Sequence, residues 1–122
     1  MEDVALIALL SASFSRQLEW YEELCELVQK TLGQLVLSRG DVGPVMADIE
    51  KKQKLFERIA EERGRMAGPV CLWQDRKKNV RDSKEVRDLE MLLVKTETAI
   101  QTFLDGEDQL KRYLEHVVHK RI

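Results

Sequence analysis

The sequence predicts an all-α protein, an antiparallel three-helix bundle that is extended and rod-like, with two long helices and one shorter helix. Apolar residues recur at seven-residue spacing along most of the chain, as they do on helices that bury one face. The 122 residues include only two prolines and six glycines, so few positions interrupt a helix. Short turns between the apolar segments favour antiparallel neighbours. Because a chain of this length builds one modest core, residues 1–122 are predicted to form a single helical domain.

The first helix is predicted to run from about Glu2 to Ser38. Every seventh position of its stripe is apolar, and further apolar residues follow four positions later: Ile7, Phe14, Tyr21, Val28 and Leu35, then Leu18, Cys25 and Leu32. The apolar run from Val4 to Leu10 is too short to cross a bilayer, and it follows an acidic start that is unlike a signal peptide. This run is therefore expected to be part of the folded helix, without membrane insertion.

A tight turn is predicted from Gly40 to Pro44. Gly40 is suited to end the first helix, because glycine adopts the left-handed conformation cheaply. Asp41 can accept hydrogen bonds from the free N–H groups of the next helix, and Pro44 is tolerated in a first turn. The two helices are thus expected to form a hairpin.

The second helix is predicted to run from about Val42 to Arg65. Two of its heptad positions are apolar, one with Val42, Ile49 and Phe56, the other with Val45, Ile59 and Met66 but interrupted by Lys52. Gly64, Gly68 and Pro69 mark its expected end. Residues 68–83 are then irregular, either a loop whose apolar part packs against the core or a segment with a helical turn.

The third helix is predicted from about Ser83 to His119, with Asp82 and Glu85 as a capping box and Gly106 as a point where it can bend. The residues expected to face inward across the three helices are Phe14, Tyr21, Val28, Leu35, Ile49, Phe56, Leu93, Ile100 and Phe103. The second helix would be about 36 Å long at the usual rise of an α-helix, shorter than its neighbours. Its length leaves apolar surface on the long helices for residues 70–73 or a partner to cover.

No residue pattern indicates catalysis or a cofactor. The chain has no glycine-rich phosphate loop and no nucleophile elbow, and its carboxylates alternate with Lys and Arg as on ordinary helix surfaces. His116 and His119 lack a third ligand, so no metal site is expected. The net charge of -2 does not favour nucleic acid. Cys25 and Cys71 have no metal-binding spacing and fit a reducing compartment.

The segment QLEWYEELCELVQKTLGQLVLSRGDVGPVMADIEKKQKLFERIAEER resembles the FlgN family of flagellar type III export chaperones. The similar features are the Leu-Glu and Tyr-Glu-Glu-Leu run, the Gly-Asp turn, and a lysine-leucine pattern before an acidic helix end, found at Leu18-Glu19, Tyr21–Leu24, Gly40-Asp41, Lys51, Lys54, Leu55 and Arg63. The resemblance covers about residues 17–65. The third helix matches only in length and amphipathicity.

The resemblance implies a cytoplasmic bacterial chaperone, not an enzyme, that holds hook-associated flagellar subunits and delivers them to the export apparatus. In that family the C-terminal helical region contacts the substrate. On this chain it implies a partner-binding surface at Leu104, Leu110, Tyr113, Leu114, Val117 and Val118. These residues spread wider than one heptad stripe. The alternative is that the end of the first helix and the hairpin turn cover them. Binding through apolar residues alone is expected to depend little on salt.

A second function remains open from the sequence, a self-associating bundle or coiled-coil adaptor that forms a homodimer. It would use the same apolar stripes. Polar residues interrupt the strict heptad pattern at Gln17, Thr31, Lys52 and Thr96, which disfavours a long supercoil.

Overall fold

The structure is a computed structural model that describes residues 2–121, with side chains described for residues 2–117. Three long helices and two short 3-10 turns account for most of this range: α1 (Asp3–Leu37), Gly43–Val45, α2 (Met46–Arg76), Lys77–Asn79 and α3 (Lys84–Arg121). The described residues contain no strand. The prediction of an all-α three-helix bundle is therefore confirmed. None of the described helices is long and apolar enough to cross a membrane.

α1 is the central helix, and the other two pack along it. Both α2 and α3 bring Cα atoms within 8 Å of α1, whereas no described Cα atom of α2 lies that close to one of α3. A symmetric bundle would bring all three pairs into similar contact, since packed helix axes are about 8–10 Å apart. The fold is thus open along the line between α2 and α3.

The core consists of three clusters along α1. At the end where α1 begins, the buried apolar side chains are Leu6, Ile7, Leu10, Met66, Trp73, Val86 and Leu89. In the middle they are Tyr21, Leu24, Leu27, Val28, Leu55, Ile59, Ala99 and Phe103. At the hairpin end they are Leu35, Val45 and Leu110. The apolar run near the N-terminus is confirmed as folded structure.

The predicted end of the second helix was wrong. α2 continues past Pro69 to Arg76, and only Lys77–Asn79 and the few residues before α3 are non-α-helical. The continuation buries Met66 and Trp73 against the start of α1. This tertiary packing outweighs the local cost of glycine and proline inside a helix. With 31 residues, α2 nearly matches the 35 of α1, so the expected mismatch in helix length is small.

α2 is also rotated relative to the prediction. Ile49 and Phe56, expected to face inward, are 37% and 38% exposed. The buried positions that face α1 are instead Val45, Ile59, Met66 and Trp73 on one heptad line and Asp48, Leu55 and Glu62 on another. Of the other predicted core residues, Tyr21, Val28, Leu35 and Phe103 are buried, and Phe14, Leu93 and Ile100 are half-buried.

The hairpin turn forms as predicted. Gly40 has φ +92°, and its amide donates to the carbonyl of Leu35. Val117 of α3 lies so close to Gly40 that an added Cβ would come within 2.6 Å of its Cγ1. Asp41 accepts a hydrogen bond from the amide of Gly43 at 3.0 Å, so it stabilises the short turn that leads into α2.

The cap of α3 is Ser83, not Asp82. The Oγ of Ser83 accepts a hydrogen bond from the amide of Val86 at 3.3 Å, while Asp82 pairs with Arg87. Gly106 is buried where α3 crosses α1, and an added Cβ would lie 2.9 Å from Cγ1 of Val28. The glycine therefore allows a close approach of α3 to α1.

Candidate partner-binding groove

An apolar groove runs between α2 and α3, with α1 as its floor. We call it the α2–α3 groove. It contains two recesses, one at the hairpin end and one towards the middle of the bundle. Its existence follows from the wide separation of α2 and α3, because each helix packs on α1 but not closely on the other.

The recess at the hairpin end has a volume of about 480 Å³. Its apolar walls are formed on one side by Ile49 of α2 and Val42 of the turn that precedes it, and on the other by Leu110 and Leu114 of α3, with Leu35 below. Val42 is 46% exposed. The polar residues around it are Thr31, Lys52, Glu107, Lys111 and Glu115. Such a recess is large enough to accept bulky apolar side chains of another molecule.

Two contacts cross the groove. Lys52 Nζ lies 2.7 Å from Glu107 Oε1, and the rings of Phe56 and Phe103 meet edge to face with centroids 5.2 Å apart. Beyond Phe56 lies the second recess, of about 350 Å³, lined by Phe14, Gln17, Arg63, Met66, Ala67, Val70, Thr96 and Ile100. Side chains alone therefore connect α2 to α3, and they leave the groove open on both sides of the crossing.

A buried polar cluster holds α2 on α1. Glu62 accepts hydrogen bonds from Ser13 Oγ at 2.6 Å and from Arg16 Nη2 at 2.8 Å, and it also binds Arg65. Gln17 donates to Ser13 at 3.1 Å, which completes the cluster. Burial raises the pKa of Glu62, but these hydrogen bonds and the charge of Arg16 outweigh burial and lower the pKa from 4.5 to about 2. The carboxylate is thus ionised and satisfied, and it ties α2 to α1 rather than to α3.

The predicted partner-binding residues do not form one continuous surface. Leu110 is buried in the core at the hairpin end, where Tyr113 and Leu114 pack against it. The hydroxyl of Tyr113 donates to the carbonyl of Leu35 at 3.1 Å. Val117 lies against the hairpin turn at Gly40, as the alternative proposed.

Leu104 does not join that group, because it is 52% exposed and lines neither recess of the groove. The side chains of Val118 and His119 lie outside the described residues. Of the six predicted residues, Leu110 and Leu114 line the α2–α3 groove.

The sequence prediction missed the α2 wall of the groove. Ile49 and Phe56 were predicted to face inward, on the heptad position that they share with Val42. The signal that distinguishes them is that α2 carries two apolar heptad positions next to each other. α1 covers the apolar line through Val45, Ile59 and Met66, so the line through Ile49 and Phe56 stays exposed beside the groove.

Another recess, of about 720 Å³, lies where α1 and α3 begin. It is lined by Asp3, Val4, Ile7, Ala8, Ser11, Val80, Arg81, Ser83, Glu85 and Asp88. Asp3 pairs with Arg76 at 3.5 Å across this end of the bundle. Its lining is more polar than that of the hairpin-end recess, which makes it the weaker candidate for binding an apolar helix.

Both tryptophans and Cys25 pack in the core or against it. Trp73 is buried over the start of α1, and Trp20 packs half-buried on the middle cluster. Cys25 is a half-buried free thiol that donates to the carbonyl of Ala99 at 3.5 Å. Burial, with nearby Glu22 and Glu26, raises its pKa, so the thiol is not activated. In the described part of the chain, no three His, Cys, Asp or Glu side chains are grouped to hold a metal ion.

No family model matches this chain, and no curated protein or solved structure matches it significantly.

Proposed function

We propose that this chain is a cytoplasmic export chaperone of the FlgN kind that binds an amphipathic helix of its substrate in the α2–α3 groove. The observation that supports this proposal is the separation of α2 from α3 over an apolar floor, with exposed Val42, Ile49 and Phe56 along one wall. The resemblance over residues 17–65 supports the choice of substrate, hook-associated flagellar subunits. The export apparatus is the second partner.

Binding follows the helix-in-groove mode. An amphipathic helix presents apolar residues at spacings of three and four, and the hairpin-end recess accepts the largest of them. Each buried apolar side chain contributes roughly 1.5–3 kcal/mol before the cost of ordering the partner. A substrate held in this way keeps its terminal segment covered and its own assembly surface blocked until export.

The groove is widened without unfolding the core. Widening breaks the Lys52–Glu107 ion pair and the Phe56–Phe103 ring contact, while the buried polar cluster keeps α2 attached to α1. An ion pair at this partly exposed position contributes about 1 kcal/mol or less, so breaking it costs little free energy. The two short recesses then become one continuous site.

The test is capture of purified hook-associated subunits by variants of the groove wall. Ile49→Asp and Val42→Asp place a charge in the apolar recess and are expected to reduce capture at least about tenfold. Val94→Asp is the matched control, because Val94 is an exposed valine, 58% accessible, that lines a different recess, between α1 and α3. All variants must retain the helical circular dichroism of the parent. Full capture by both groove variants would contradict the proposed site.

The alternative is a self-associating adaptor. The same exposed residues favour it, since apolar walls can also pair with a second copy. Sedimentation equilibrium separates the two functions. The chaperone is expected to be a monomer when free, whereas the adaptor is a dimer that Ile49→Asp dissociates.

A further inference from the structure

The flanks of the α2–α3 groove, which are the exposed positions of α2 and α3 beside its walls, carry more negative than positive charge. On α3, the exposed positions beside the groove wall recur at spacings of three and four: Glu97, Gln101, Leu104, Asp108, Lys111 and Glu115. On α2, the corresponding exposed positions are Met46, Glu50, Gln53, Glu57, Ala60, Gly64, Ala67 and Cys71. The two flanks together contain five carboxylates and one lysine.

The charged side chains inside the groove do not cancel the negative charge of the flanks. Lys52 and Glu107 neutralise each other as an ion pair, and Asp108 on the α3 flank is neutralised by Arg112. Arg63 lines the more distant recess, near the middle of the bundle. Lys111 and Glu115 both line the hairpin-end recess, so the excess of negative charge along the two flanks comes from Glu50, Glu57 and Glu97.

We infer that the occupant of the groove is an amphipathic helix whose apolar face is bordered by Lys and Arg. This inference rests on the proposed function and adds the charge of the partner. Basic residues on both borders of the bound helix would face Glu57 on α2 and Glu97 or Glu115 on α3. Complementary rim charges mainly raise the association rate and select the partner. The expectation of binding with little salt dependence, drawn from apolar residues alone, is replaced by a clear salt dependence.

The same charges disfavour a second copy as the occupant. A twofold dimer pairs one surface patch with itself, so the acidic flanks of one copy would meet those of the other. Like charges placed opposite each other are destabilising. A basic helix from another protein avoids this repulsion.

Three synthetic peptides of about 18 residues, long enough for roughly 27 Å of helix, test the inference. The first has a leucine face bordered by lysine, the second has the same leucine face bordered by glutamate, and the third is a scrambled lysine peptide without an apolar face. Titration calorimetry at low salt is expected to show the first binding about fivefold or more tighter than the second, with the preference falling as salt is added. The scrambled peptide should bind weakly.

Charge reversal on the chain identifies the surface. The double variant Glu57→Lys, Glu97→Lys should lose the preference for the lysine peptide. The control Glu19→Lys, Glu26→Lys carries the same charge change at exposed positions of α1 that line neither recess of the groove, and it should keep the preference. Equal binding of the lysine and glutamate peptides would overturn the inference while leaving the groove function intact. Binding of no peptide, or equal binding of the scrambled one, would contradict the groove function as well.

Discussion

Arg16 Nη2 lies 2.8 Å from Glu62 Oε2, and this ion pair has a counterpart two heptads further along the hairpin. There Lys30 Nζ lies 3.3 Å from Asp48 Oδ1. The two pairs match antiparallel positions, fourteen residues apart on each helix. A slip of α2 along α1 would separate both pairs and leave buried carboxylates without partners. Such ion pairs add little net stability, because burying the charges costs free energy, but leaving a buried carboxylate unpaired is strongly destabilising, so the pairs disfavour other registers.

The Glu62 cluster predicts a pH dependence of stability. The folded-state pKa of Glu62 is lowered, from 4.5 to about 2, so its contribution is present above pH 4.5 and is lost as pH falls towards 2. Glu62→Gln should therefore lower the free energy of unfolding most at neutral pH, with a difference from the parent that shrinks in acid. Urea denaturation across this range measures it. Glu61→Gln, at the exposed neighbouring position, is the control, and a difference independent of pH would contradict the assignment.

The rotation of α2 predicts unequal effects at two adjacent positions. Leu55 is buried against α1, so Leu55→Ala should cost about 2–5 kcal/mol of unfolding free energy. Phe56 is 38% exposed, and Phe56→Ala should cost clearly less, on the order of 1 kcal/mol from its contact with Phe103. Denaturant midpoints compare the two. A larger loss of unfolding free energy for Phe56→Ala than for Leu55→Ala would mean that Phe56 faces the core, as the sequence predicted.

Two glycines inside helices should respond to alanine in opposite directions. At Gly64 no atom lies within 4 Å of an added Cβ, so Gly64→Ala should stabilise by about 0.5–1 kcal/mol through helix propensity. At Gly106 the Cβ would lie 2.9 Å from the stiff, buried Val28, so Gly106→Ala should destabilise. Thermal unfolding of both variants is sufficient. Stabilisation by Gly106→Ala would show that α3 and α1 are not in such close contact.

Tyr113 is expected to act in folding and not in partner binding. Its hydroxyl donates to the Leu35 carbonyl, which also accepts the amide of Gly40, so Tyr113→Phe leaves no group unsatisfied. The variant should lose about 0.5–1.5 kcal/mol of stability and keep its affinity for a groove ligand. Measuring both the affinity and the unfolding midpoint of the variant separates the two effects. A tenfold loss of affinity at unchanged stability would return Tyr113 to the binding site.

Periodicity predicted the helices well because each one buries a continuous stripe. The hairpin turn could be predicted equally well, because Gly40 and Asp41 act through local backbone chemistry. The end of α2 could not, because Gly68 and Pro69 signal a helix end locally, whereas the helix continues through the packing of Trp73 against α1. That contact joins residues far apart in the sequence, so a local pattern does not show it.

The lining of the groove was predicted in part. Leu110 and Leu114, which were predicted to bind a partner, line it, whereas Ile49 was predicted to face inward. Amphipathicity predicts which face of a helix is buried only when a single heptad position is apolar, and α2 has two such positions. The interruption at Lys52 made the true buried line look weaker, although Lys52 is accommodated by Glu107. The openness between α2 and α3 depends on the positions of whole helices and has no local signature.

The central claim is that a partner helix occupies the groove between α2 and α3, and methyl NMR tests it most directly. Isotope-labelled chain is titrated with the terminal segment of a hook-associated subunit, and the isoleucine, leucine and valine methyl signals are followed. The account predicts the largest shifts at Val42, Ile49, Leu110 and Leu114. Unchanged signals are predicted at Val94 and at Val4, which lie on other recesses. Shifts confined to Val4 and Ile7, or to Leu18 and Val94, with none at Ile49, would contradict it.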